Sequence, residues 1–238
     1  MNQTILKTLV GSRAHKLNDE TSDYDYRSVF VSPTVDLLKL GPKPKTTSWI
    51  EGDVDDTAWE IGHFLHLATK SNPTILEVFA SPIIAEDTLM TGYSLCELFD
   101  SVWNSNDVYH AFSGYSKNQR KKLLDEESDR KFKYGVAYIR TLWMGTYLLE
   151  RGELFVDTTK NTPVRELLLN IRHGKMSVGD IVGQACYWQE RLEKAYKKNP
   201  DKQTDLEKVN EFLLEVRKTF WSSDSFATEK MLTGIFHS

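Results

Sequence analysis

Two aspartates two residues apart, in the run Ser22-Asp23-Tyr24-Asp25, are the side chains of this chain best suited to chemistry. On an extended strand, positions i and i+2 point to one face. Adjacent carboxylates repel, and burying them unpaired is costly. A divalent cation removes that cost. Mg²⁺ takes hard oxygen ligands and keeps waters and substrate phosphates, so an Asp-x-Asp strand edge suits it. The tripeptide alone is common and more often marks a surface turn or an edge strand. Here Gly11-Ser12 stands about a dozen residues upstream. Glycine lets backbone approach a phosphate, serine offers a hydroxyl, and a helix starting there would aim its free N–H groups the same way. Arg13, Lys16 and Arg27 add positive charge nearby.

The elements that must hold these residues are mixed at first. Ile5-Leu6 and Leu9-Val10 suggest a short helix or strand leading into the Gly11 turn. Tyr26 to Val31 is β-rich and ends at the turn signal Ser32-Pro33. Val35 to Leu40 is an apolar run, and Gly41 to Lys45, with two prolines, is irregular. Thr46 to Glu51 suits a strand. From Asp56 the apolar period becomes helical through Trp59, Ile61, Phe64 and Leu65, with Asp55, Asp56 and Thr57 as candidate caps. Asn72-Pro73 stops that helix and opens the next, which ends at Ser81-Pro82.

The remainder has helical periodicity over Leu95–Val102, Val108–Leu124, Phe132–Arg151, Pro163–Ile171, Val178–Lys198 and Thr204–Phe220. The fold class expected is α+β: a small mixed-sheet core with helices over residues 1–90, followed by a mainly helical subdomain over residues 91–238 packed on it.

Composition narrows the class. The 238 residues are 40% hydrophobic and 27% charged, with a net charge of −4, ordinary for a globular enzyme and against an all-round nucleic-acid coat. The Lys and Arg clusters at 117–122, 130–133 and 194–198 read as solvated helix faces. Cys96 and Cys186 read as reduced, buried thiols. No signal peptide or membrane span is visible, which predicts a cytoplasmic protein. The six histidines, His15, His63, His66, His110, His173 and His237, show no metal-triad spacing and read as structural or exposed.

The whole stretch GSRAHKLNDETSDYDYRSVFV resembles the signature of the DNA polymerase beta-like nucleotidyltransferase superfamily. More narrowly, it is similar to predicted nucleotidyltransferases carried by bacteria and their phages. Gly11, Ser12, Arg13, Ala14, Leu17, Ser22, Asp23, Asp25 and Arg27 match, while His15 and Lys16 stand where that family often has an aromatic residue and glycine. Asp55, Trp59, Asn72-Pro73, Glu77, Arg140, Gly152-Glu153-Leu154 and Ile171-Arg172-His173-Gly174 resemble its later landmarks.

The resemblance implies transfer of a nucleoside monophosphate from an NTP, ATP among them, to a hydroxyl acceptor with release of pyrophosphate. Two Mg²⁺ or Mn²⁺ ions would be held by Asp23, Asp25 and a third acid on a neighbouring strand. Asp55 is the choice by its distance from Trp59; Asp53 and Asp56 are rivals, since a shift of one residue changes face. Gly11 and Ser12 would cradle phosphates, with Arg13, Arg27, Glu77, Lys133 and Arg140 as further nucleotide or acceptor contacts. The acceptor (RNA, a small molecule or a protein) and the oligomeric state stay open. The alternative is a non-catalytic nucleotide- or RNA-binding regulatory module on the same fold. If a phage carries the gene, the expected location is the host cytoplasm.

Overall fold

The structure, a computed structural model, describes residues 2–42, 45–50, 55–87 and 89–222. Five strands, β1 (Gln3–Val10), β2 (Asp25–Val31), β3 (Thr47–Ile50), β4 (Asp55–Glu60) and β5 (Ile83–Glu86), form one mixed sheet in the order β3-β4-β2-β1-β5. β1 runs antiparallel to both β2 and β5, β3 antiparallel to β4, and β2 parallel to β4. The first 86 residues also form α1 (Gly11–Ala14), α2 (Thr34–Leu38), α3 (Ile61–Ala68) and α4 (Pro73–Ala80). α4 starts as expected: Pro73 needs no N–H in the first turn, and the Asn72 side chain accepts from Thr74 N–H at 3.0 Å.

One expectation fails at β4. The helix foreseen from Asp56 begins at Ile61, and Asp55, Asp56 and Thr57 are strand residues rather than caps. β4 lies between β2 and β3, so its backbone groups find partners on both sides, and that pairing overrides the local helical pattern. Glu60 caps α3 instead, accepting from Gly62 N–H at 2.8 Å. Trp59 is buried, but from a strand and not from a helical stripe. β5 was not foreseen; it is four residues long, too short for a periodic signal. The thiol reading is also corrected: both cysteines are free, but Cys186 is exposed and Cys96 half-buried.

The second part is helical, as expected, although the single run expected over Leu95–Val102 is divided by a turn at Glu97-Leu98: α5 (Thr91–Cys96), α6 (Phe99–Val102), α7 (Ser105–Leu123), α8 (Lys131–Arg151), α9 (Thr162–Arg172), α10 (Val178–Lys198) and α11 (Leu206–Thr219). α8 is the hub, packed by α7, α9 and α10. One apolar cluster runs from Ile5 and Val29 through Phe64 and Leu76 to Trp143, Leu168 and Ile181. α11 returns to the sheet side, where Arg217 makes a two-pronged ion pair with buried Glu60 at 2.6 and 2.9 Å. Among the described residues, no helix is long and apolar enough to cross a membrane.

Candidate active site

The site grows out of the β1–α1 turn. Val10 ends β1 in register with Asp25, the first residue of β2. Gly11 follows with φ +69°, and a Cβ there would lie 2.2 Å from Asp25 Oδ2. Glycine is thus required twice, for a left-handed backbone and for contact with a carboxylate. α1 is a single turn, too short to carry much of a helix dipole, so it contributes mainly its first N–H groups. Lys16 has φ +57° at the position where the resembled family usually has glycine. Such a conformation costs a non-glycine residue roughly 1–2 kcal/mol.

The loop before Asp23 is clamped from two sides. Arg13 donates from Nε and Nη2 to the Ser22 carbonyl at 3.0 and 2.7 Å, and its guanidinium lies 3.8 Å from the Tyr24 ring centroid. Asp19 accepts from Ser22 Oγ at 2.9 Å and from Arg172 Nη2, at the end of α9, at 2.8 Å. Hydrogen bonds from Arg172, Thr21 and Ser22 hold its carboxyl well below the usual carboxylate range. Arg172 thereby ties α9 to the loop that presents Asp23.

A cleft of about 600 Å³ opens between this turn and the helical half. Gly11, Ser12, Asp23 and Asp25 line one wall; Phe132, Lys133, Val136, Ala137 and Arg140 of α8 line the other, and Arg130, Arg172 and His173 border it. Asp19, Asp23 and Asp25 thus stand on the strand side, and Arg130, Lys133 and Arg140 stand on the helical side with one acid, Asp129, beside them. That arrangement can hold a polyphosphate and a cation between the two walls.

Behind the cleft, three distant segments meet. His15 is buried, with Nδ1 3.0 Å from the Val156 carbonyl and Nε2 2.9 Å from Glu77 Oε1. Arg140 Nη1 lies 3.1 Å from Glu77 Oε2 and also contacts His15 Nε2. Burial works against ionisation of Glu77, but Arg140 and His15 beside it outweigh burial and hold its pKa well below the usual glutamate value. Glu77 does not line the main cleft; it anchors Arg140, which does.

The third acid is constrained by register. Asp55 is paired across the parallel ladder with Asp25, and Asp56 with Tyr26. Asp56 is buried and engaged: Lys7 Nζ lies 2.8 Å from it, and Ser28 Oγ donates at 3.0 Å. Asp53 and the side chain of Asp55 lie outside the described residues. Among the described residues no three His, Cys, Asp or Glu side chains form a metal-holding group. The donor set still fits a hard cation: two carboxylates at one cleft wall and a glycine backbone against one of them.

The remaining expected contacts divide. Gly11, Ser12, Asp23, Asp25, Lys133 and Arg140 share the cleft. Arg13 braces the loop rather than lining the cleft. Arg27 Nη1 donates to the Tyr26 carbonyl at 2.6 Å, also away from the cleft lining. The 130–133 cluster reads in the sequence as a solvated helix face and His15 and His173 as structural or exposed, yet Arg130, Lys133, His15 and His173 line the cleft, as do Arg172 and Phe132, which carry no assigned role. Arg172 and His173 had a signal, the Ile-Arg-x-Gly landmark; Phe132 had none. His63, His66 and His110 are not among the cleft residues, and His237 lies outside the described residues.

Comparison with known proteins bears on this arrangement. "Uncharacterized protein YcgL" of Bacillus subtilis (strain 168) is 28% identical over 119 residues, 49% of this chain and 46% of that protein, so the match spans less than half of the relative's length. A crystal structure of a nucleotidyltransferase-like protein from Exiguobacterium sibiricum 255-15 covers 90% of this chain and 73% of its own, at 12% identity and a TM-score of 0.33, too loose a likeness to bear on function. The family model RlaP, described as the RNA repair pathway DNA polymerase beta family, matches residues 2–215. A match of that extent settles kinship: the chain belongs to the RNA repair pathway DNA polymerase beta family, and that membership supports a nucleotidyltransferase-type activity in general.

Proposed function

We propose that this chain transfers a nucleoside monophosphate from an NTP to a hydroxyl at the end of an RNA, releasing pyrophosphate. The observation that carries the reading is the Gly11 turn pressed against Asp25 at one wall of a cleft whose other wall carries Arg130, Lys133 and Arg140, with Asp129 beside them. Asp23 and Asp25 would hold Mg²⁺ or Mn²⁺, with Asp55 as the third ligand because its register position is opposite Asp25. Asp56 is the weaker candidate, since Lys7 and Ser28 already engage its carboxylate. A pair of such ions, when bound, neutralises the triphosphate and acidifies the attacking hydroxyl.

The chain's own residues supply the rest. Gly11 and Ser12 offer N–H and hydroxyl donors to the β and γ phosphates. Lys133 and Arg140 offset negative charge from the facing helix, and Glu77 with His15 keeps the Arg140 guanidinium in place. The acceptor oxygen attacks the α-phosphorus, the bond to the bridging oxygen of the β-phosphate breaks, and the hydroxyl proton leaves to solvent or to a site carboxylate. Positioning and electrostatics then account for most of the rate. On this reading residues 1–90 hold the reacting phosphates, and the helical part from 91 onward shapes the cleft for nucleotide and acceptor.

RNA is preferred as acceptor because the family description names RNA repair. The test is incubation of the full chain with a 5′-labelled RNA bearing a free 3′-hydroxyl, each NTP in turn, and Mg²⁺ or Mn²⁺. The RNA should lengthen, and Asp25→Asn should stop it. NTP binding without extension of RNA or labelling of any other acceptor would favour the binding-module reading.

A further inference from the structure

Helix α8 presents two different stripes to the cleft. Phe132 and Val136 are one turn apart and apolar, while Lys133 and Arg140, flanking Ala137, carry charge on the neighbouring stripe. A nucleoside triphosphate has the same division, a flat apolar base at one end and phosphates at the other. Arg140 of the charged stripe contacts His15, the residue that ends the Gly11–Ala14 turn, so that stripe suits the phosphate end. The apolar stripe is then left for the base.

Phe132 has the features of a stacking surface. It is 37% exposed, high for a phenylalanine that lines a cavity. Among the described residues, no other aromatic ring or cation is stacked on it. Its position is set from behind by Gly174, where a Cβ would lie 3.1 Å from Phe132 Cε2. Gly174 has φ +68° and closes α9 with paired bonds, Gly174 N–H to Ile171 C=O at 3.0 Å and Lys175 N–H to Asn170 C=O at 2.9 Å. The ring is thus seated on backbone while remaining open to the cleft. No Asn or Gln side chain lines the cleft among the described residues, so the two-bond amide contact that reads a base edge is missing from its lining.

We propose that Phe132, extended by Val136, is the stacking surface for the base of the bound nucleoside triphosphate. The inference rests on the reading of the cleft as the NTP site. It makes base recognition a matter of ring area, so any base is accepted and purines are favoured over pyrimidines.

The test is calorimetric binding of ATP, UTP and inorganic tripolyphosphate, each with Mg²⁺, to the full chain and to Phe132→Ala and Phe132→Trp. Phe132→Ala should weaken ATP by about 5- to 100-fold and UTP by less, and leave tripolyphosphate within about twofold. Phe132→Trp should restore ATP binding. Unchanged ATP binding in Phe132→Ala overturns the proposal, including the case where only RNA binding suffers. So does an equal loss of ATP and tripolyphosphate, which would mark the ring as structural. A wild-type chain that binds neither ATP nor tripolyphosphate overturns the reading of the cleft itself, a distinct result.

Discussion

Replacing Glu77 with glutamine removes the one negative charge in the cluster behind the cleft. Both carboxylate oxygens are used, Oε1 by His15 Nε2 at 2.9 Å and Oε2 by Arg140 Nη1 at 3.1 Å. The Glu77 and Arg140 side chains are only 13% and 15% exposed, so water replaces little of the lost interaction. Removing one partner of a buried pair costs about 3–5 kcal/mol, and the glutamine, which keeps the shape and one acceptor, belongs at the low end. With a urea slope of about 2 kcal/mol/M, the unfolding midpoint should fall by roughly 1.5 M at pH 7. The pH dependence has a definite sign. The Glu77 pKa in the folded chain lies below its usual 4.5, so the stabilisation is present above that pH and is lost as pH falls through and below it. The gap between wild type and Glu77→Gln should therefore narrow steadily from pH 5 to pH 3.5. Urea titrations followed by circular dichroism measure both effects. Coincident midpoints at pH 7, or a gap of constant size down to pH 3.5, would refute the assignment of Glu77 as the buried counter-ion that seats Arg140.

Further outcomes follow from the same geometry. Gly11→Ala should cost roughly 1–2 kcal/mol from its left-handed backbone, and its Cβ, 2.2 Å from Asp25 Oδ2, should displace that carboxylate. Transfer activity per folded molecule should then drop at least about tenfold, which single-turnover assays on the refolded variant would read. Arg217→Ala strips the two-pronged partner from buried Glu60 and should cost about 3–5 kcal/mol, seen as a large fall in melting temperature. Asp56→Asn should cost about 1–3 kcal/mol through the weakened Lys7 and Ser28 contacts but leave Mn²⁺ affinity, read by electron paramagnetic resonance, near wild type. A loss of Mn²⁺ binding there would move the third ligand from Asp55 to Asp56.

Some of this was legible before the fold. α10 runs over Val178–Lys198, the span its periodicity predicts, because an amphipathic stripe and a Ser177–Asp180 capping box are both local signals. The Asn72-Pro73 start of α4 is local in the same way. The β4–α3 boundary was not, since Asp-Asp-Thr before an apolar helical pattern resembles a cap, and only pairing with β2 and β3 reveals a strand. Within the site, Gly11, Ser12, Asp23 and Asp25 sit in one short segment and announce themselves. The Arg172–Asp19 ion pair joins residues 153 apart, and the Arg140–Glu77 pair residues 63 apart, so no spacing rule could link them. Phe132 was hidden for a related reason: nothing in a helix sequence separates a ring packed in the core from one open to a cleft.

The most direct measurement uses ATP labelled at either the α or the γ phosphate, with Mg²⁺ and an RNA acceptor. If Asp23, Asp25 and Asp55 serve nucleotidyl transfer, the α label enters the RNA and the γ label leaves as pyrophosphate. Asp25→Asn and Asp55→Asn should abolish both, while Asp56→Asn retains them in its folded fraction. Entry of the γ label into the acceptor would mean phosphoryl transfer instead, and undiminished α-label transfer in Asp25→Asn would place the chemistry away from the Gly11 turn.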